Sequence, residues 1–233
     1  MADERGLAGL DPYDLQDEEC ARLRSWFGGM GEGDWSTPSA CEGWSRRDVL
    51  AHLVAVEEYF AACLDGSVGE LLGRYLEGGA SSLDEFNAAG VAASEGVGAQ
   101  ELLANWVHAN AANRAGFRAA DGTDIDTSVG PYPCRQQAFH MAFEYAVHAN
   151  DVDAPVSADD RDRRQNWLAA IARFALTEVK TDVTVEDSAD GFRVTRVGER
   201  ATVDRDTFVA GVAGRSEQGM IDEATSQLLD LGY

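Results

Sequence analysis

Basic residues are scarce in this chain: 19 Lys and Arg stand against 41 Asp and Glu, a formal net charge of −22 over 233 residues. A surface of that sign repels a phosphate backbone and disfavours docking on anionic lipid, so neither nucleic acid nor a membrane is an expected partner. Long apolar runs are missing too, and none approaches the length that spans a bilayer. The opening Met1-Ala2-Asp3-Glu4-Arg5 has no basic stretch leading into an apolar one; a cytoplasmic protein is the expectation. Cysteine is sparse and unpaired: Cys20, Cys41, Cys63 and Cys134 form no CxxC motif. That spacing excludes a zinc knuckle and a dense disulfide frame and fits reduced thiols. No internal repeat and no low-complexity tract interrupts the pattern, and no long exposed apolar seam argues for an oligomer, so a monomer is expected.

Hydrophobic residues make up 45%, enough for a packed core and too many for a disordered chain. Asp11-Pro12 predicts the start of a first helix running to about Phe27, where Gly28-Gly29 ends it. Trp44-Ser45-Arg46-Arg47-Asp48-Val49 carries a capping box from Ser45 to Asp48 and a staple from Trp44 to Val49. Apolar residues then recur at Val49, Leu53, Val56, Phe60 and Cys63, a helical stripe with His52 beside it. Residues 66–99 read as a long connection with a helical island near Leu83 to Ala93. A third long helix is predicted over Ala99 to Ala119, breaks at Asp121-Gly122 and at 130–133, and a fourth from Cys134 to about Asn150. After Pro155 the pattern changes to a helix from Ser157 to about Lys180, strands at 182–186 and 192–197 joined around Asp190-Gly191, a possible third at 201–203, and helices at 204–213 and 216–231. The expected organisation is α+β: a four-helix bundle over 1–155 and a small α/β domain over 156–233.

The chemistry concentrates on three residues. Glu144 and His148 are four apart and stack one turn above the other on a helix. Their flanks are apolar, Phe139, Phe143 and Val147 on one side, Met141 and Tyr145 on the other, and His52 sits similarly between Val49, Leu53 and Val56. Charged or polar groups in such settings need a partner or a metal. Two imidazoles and one carboxylate are the ligand set of an open zinc site; the alternative is a metal-free bundle in which Glu144 pairs with one of the rings. Nickel, iron or manganese can use a similar set. His140, one turn before Glu144 on the same face, suggests a fourth ligand, a base near the substrate or, as preferred, a partner of the ligating carboxylate. His108 reads as solvent-exposed. Cys63 falls on an apolar stripe and reads as core. Cys134, at a helix start, is a thiol nucleophile only if a base reaches it.

The segment from Asp34 to Leu53, with Cys41-Glu42-Gly43-Trp44-Ser45-Arg46-Arg47-Asp48-Val49-Leu50-Ala51-His52-Leu53 at its end, resembles the hallmark of the mycothiol-dependent maleylpyruvate isomerase family, a branch of the DinB-like metal-binding bundles. The later stretch Phe143-Glu144-Tyr145-Ala146-Val147-His148-Ala149-Asn150-Asp151 resembles that family's second motif. The resemblance implies a DinB-like four-helix bundle with a small α/β C-terminal domain, and metal ligation by His52, Glu144 and His148. It departs from the family after His148, where Ala149-Asn150 stand in place of a bulky or basic residue. It also implies a catalytic arginine from the C-terminal domain; Gly214-Arg215 matches the family's Gly-Arg pair, which makes Arg215 the candidate, although a further helix is predicted after it.

On that resemblance the expected cofactors are a divalent metal, Zn2+ first, and mycothiol, the low-molecular-weight thiol of actinobacteria, as cosubstrate. The implied chemistry is attack of a metal-bound thiolate on a small electrophile. Addition to a cis double bond, rotation and elimination make an isomerase; release of the adduct makes an S-transferase. Two other readings remain at this point: a metal-dependent hydrolase with activated water, and a non-catalytic module that binds a thiol conjugate.

Overall fold

The computed structural model describes residues 2–215 and 221–231, and its long helices begin where the side-chain caps put them. Asp11 accepts a hydrogen bond from the Tyr13 amide, Pro12 takes the first helical position, and α1 (Pro12–Gly28) ends at Gly29. Ser45 accepts from the Asp48 amide while the Asp48 carboxylate accepts from the Ser45 amide, and this reciprocal cap starts α2 (Arg46–Asp65). Gly66, at φ 80°, ends α2 in a left-handed conformation that a side chain would strain.

The stretch after Gly66 departs from expectation. The helical island expected near Leu83 to Ala93 is there as α4 (Leu83–Ala93), but a further helix not expected, α3 (Val68–Glu77), precedes it. Val68 and Leu71 are buried, and Leu72 and Tyr75 pack on the same core, so a helical spacing was present beneath the helix-weakening Gly69 and Gly73. Gly90 of α4 lies against α2: a Cβ there would come within 2.6 Å of the Ala55 Cβ. Next comes α5 (Ala99–Ala119), then a hairpin where only breaks were expected. Strands β1 (Asp124–Thr127) and β2 (Gly130–Pro133) pair antiparallel from Asp124↔Pro133 to Thr127↔Gly130. Pro131 and Pro133 hid it, because proline removes ladder donors and is tolerated only at an edge. The chain then enters α6 (Cys134–Asp151).

Helices α1, α2, α5 and α6 form the bundle; α2 packs along α5, and α1 along both α5 and α6. Phe27, Leu50, Leu53, Trp106, Phe117, Met141 and Tyr145 fill its core, each fully or almost fully buried.

The described residues divide into two compact units, Asp11–Pro155 and a second formed by residues 2–10 with the described residues from Val156 onward. Residues 2–10, expected with the bundle, group with the C-terminal unit because the Asp3 amide donates to Thr177 Oγ1 (2.8 Å) and Gly6 lies against Ala170. This unit holds α7 (Ala158–Val179) and a three-stranded antiparallel sheet, β3 (Thr184–Ser188), β4 (Gly191–Arg196) and β5 (Glu199–Asp204), in that order. Then come α8 (Arg205–Val212) and α9 (Glu223–Leu229). Asp222 caps α9, so the helix predicted from Ser216 starts later among the described residues; 216–220 lie outside them. The fold is α+β, as expected.

Candidate metal centre

The cap at Ser45 places His52 in the second turn of α2, and the four-residue spacing on α6 puts Glu144 and His148 on one face. The bundle brings the two faces together. His52 Nε2 lies 2.9 Å from Glu144 Oε1, and His148 Nε2 lies 3.2 Å from the same oxygen. The two imidazole rings meet edge to face, with centroids 4.6 Å apart. Neighbouring ligand atoms around a tetrahedral zinc with bonds of about 2.0 Å sit roughly 3.3 Å apart. All three donor atoms lie within 4.8 Å of one another, close enough together that they could hold one divalent ion. Both histidine side chains are 5% exposed, whereas that of Glu144 is 33% exposed, so Glu144 is the member of the set with the most access to solvent.

Charge and burial oppose each other here. Burial pushes the Glu144 carboxyl up, but the facing imidazoles, His148 first, outweigh it and hold Glu144 well below the usual carboxylate range. Burial likewise works against an imidazolium at His148. Glu144, Asp151 and Cys41 together outweigh it and hold that ring well above the ordinary histidine value.

His148 also has a second, buried side. Its Nδ1 lies 2.9 Å from Asp151 Oδ2, and Cys41 Sγ donates to that same oxygen at 3.1 Å. A carboxylate on one ring nitrogen fixes the ring and leaves the other nitrogen for a metal. Trp44 stands against the other ring, its centroid 5.2 Å from that of His52. Neither Asp151 nor Cys41 is marked by the sequence as part of the centre. A carboxylate three residues after His148 is a signal that could have marked Asp151. Nothing local marks Cys41, 107 residues from His148.

The other candidates fall as follows. The His140 ring meets Tyr132 of the hairpin, Nε2 to Oη at 3.2 Å, one helical turn from Glu144. His108 is exposed. Cys63 is core. Cys134 is fully buried, donates to the Phe117 carbonyl, and is pushed by burial up to about 11, which removes it as a nucleophile. Arg215 belongs to the C-terminal unit, where its amide donates to the Ala210 carbonyl and its guanidinium to the Ala213 carbonyl at the end of α8.

Residues 17–153 match the family described as the mycothiol maleylpyruvate isomerase N-terminal domain. The crystal structure of a mycothiol-dependent maleylpyruvate isomerase shares the fold, with a TM-score of 0.61 and 15% identity over 91% of this chain and 94% of that one. The crystal structure of a mutant of a mycothiol-dependent maleylpyruvate isomerase, with one histidine replaced by alanine, gives 0.60 and 14% over the same shares. No curated protein matches the sequence.

Proposed function

The chain belongs to the mycothiol maleylpyruvate isomerase family, and from that membership we propose that it is a metal- and mycothiol-dependent enzyme acting on maleylpyruvate or a similar small electrophile. The observation that carries this reading is the meeting of His52 and His148 on one carboxylate oxygen of Glu144. These three side chains would hold the ion, and zinc suits the donor set best. When bound, the ion supplies an open coordination position at which a thiol is held as its thiolate at neutral pH.

The chain's own residues do the rest. Asp151 orients the His148 ring, and Trp44 covers His52. Mycothiol, when bound, would supply the thiolate that adds reversibly to the cis double bond, the π electrons passing to the conjugated carbonyl oxygen until rotation and elimination give back the trans double bond and the thiolate. We assign His140, with its ring against Tyr132, to holding a proton at that oxygen. By the family resemblance alone, Arg215 is the candidate for binding the substrate carboxylate, which a guanidinium can hold through two oxygens at once.

The test is maleylpyruvate turnover by purified protein, with and without mycothiol and with and without a strong chelator. Turnover should require both thiol and metal. Arg215→Ala should lower kcat/KM by about ten- to a hundredfold, the range for losing hydrogen bonds to a charged group. Turnover of an ester or amide without thiol would instead favour the hydrolase reading.

A further inference from the structure

We propose that Cys41 is a positioning residue of this centre, acting through Asp151 on the ring of His148. The inference rests on the reading of His52, Glu144 and His148 as metal ligands and extends it to a residue far away in the sequence. Asp151 is 3% exposed, and one of its carboxylate oxygens, Oδ2, meets both His148 Nδ1 at 2.9 Å and Cys41 Sγ at 3.1 Å. A carboxylate oxygen has room for two donors. With the S–H bond in place the carboxylate cannot swing, and the imidazole plane it holds cannot swing either. His148 Nε2 therefore stays aimed at the point shared with Glu144 and His52.

The thiol sits on a loop built to hold it still. Ser39 Oγ donates to the Trp44 carbonyl and accepts from the Cys41 amide; the Trp44 amide donates back to the Cys41 carbonyl. Pro38 bridges to Ser45, the cap of α2. The Ala40 amide donates to the Asp151 carbonyl at 2.9 Å, so the loop grips the end of α6 by backbone and side chain together. At its far end the same loop sets Trp44 against His52. One short segment thus braces both imidazoles, and Cys41 is its contact with the carboxylate that holds the buried nitrogen of the second. A thiol suits the place: it is small and apolar, 7% exposed, and its weak donor reaches an acid that is already committed.

The experiment compares wild type with Cys41→Ala, Cys41→Val and Cys41→Ser by two readouts. The first is zinc affinity, measured by competition with a chromogenic chelator. The second is exchange of the His148 Nδ1 proton in metal-free, imidazole-15N-labelled protein. Loss of an outer partner of a ligating histidine weakens metal affinity by about 10- to 100-fold, and an S–H donor should fall at the lower end. Cys41→Ala and Cys41→Val should bind zinc about tenfold more weakly and exchange the Nδ1 proton faster, while Cys41→Ser should recover both. Valine keeps the volume without the donor, so it decides the matter if the alanine variant fails to fold. Wild-type values in the donor-free variants, or a full loss shared by Cys41→Ser, overturn the proposal. If wild type takes up no zinc, the metal reading fails, and the proton-exchange readout still decides whether Cys41 acts on His148.

Discussion

Glu57 stands on α2 five residues after His52 and is 1% exposed, a carboxylate inside the bundle. Its Oε1 accepts from Asn110 Nδ2 at 2.8 Å and from Tyr145 Oη at 2.9 Å, and its Oε2 accepts from Asn113 Nδ2 at 2.8 Å. Tyr145 is the neighbour of Glu144, so the network ties α2, α5 and α6 together behind the candidate centre. Burial pushes the Glu57 carboxyl up, against the pull of these donors. A pKa raised on folding contributes stability that is fully present below the unfolded value of about 4.3 and is lost as pH rises through the folded value. Glu57→Gln removes that titration and turns an amide donor toward groups that are themselves donors, a cost of about 1–3 kcal/mol. Urea unfolding across pH should therefore show wild type ahead of the variant by most at pH 4, with the gap narrowing as pH rises. A gap that stays constant or widens contradicts this reading. The sequence could not announce Glu57, because a polar residue on a helix reads as solvent-facing until its partners on other helices are known. His52, Glu144 and His148 were legible because two local devices, a cap and a four-residue spacing, fix where they point.

Helices were legible where a cap or a stripe marked them. The Ser45 cap and the Asp11-Pro12 start each led to the observed element, and the helix predicted over Ala99 to Ala119 is α5. The misses share a cause: local chemistry argued against an element that packing pays for. Gly69 and Gly73 weaken α3, yet Val68 and Leu71 are buried on the bundle. Two prolines discourage β2, yet as an outer strand it needs few donors. The cap on α2 matters most for the site, since it sets the turn on which His52 lies. Ser45→Ala should lower global stability by about 1 kcal/mol, while Ser45→Asp keeps the side-chain acceptor and most of the stability. Thermal or urea unfolding of the two variants tests this; equal losses would show that the cap does not stabilise α2.

At the scale of the whole molecule, the bundle and the α+β class followed from the order and length of the periodic segments. The tie between Cys41 and Asp151 did not, because it joins residues 110 apart. The net charge of −22 has a bearing on how the centre is tested. A surface this acidic collects divalent cations weakly at many places, so metal content alone is a poor witness to one site. The coordination shell itself is the better one. Zinc K-edge X-ray absorption on protein loaded with one equivalent should show two imidazole nitrogens at about 2.0–2.1 Å with oxygen neighbours and no sulfur, and mycothiol should then bring one sulfur to about 2.3 Å. A shell that gains no sulfur from mycothiol, or one that holds a sulfur beforehand and loses it in Cys41→Ala, would contradict the account.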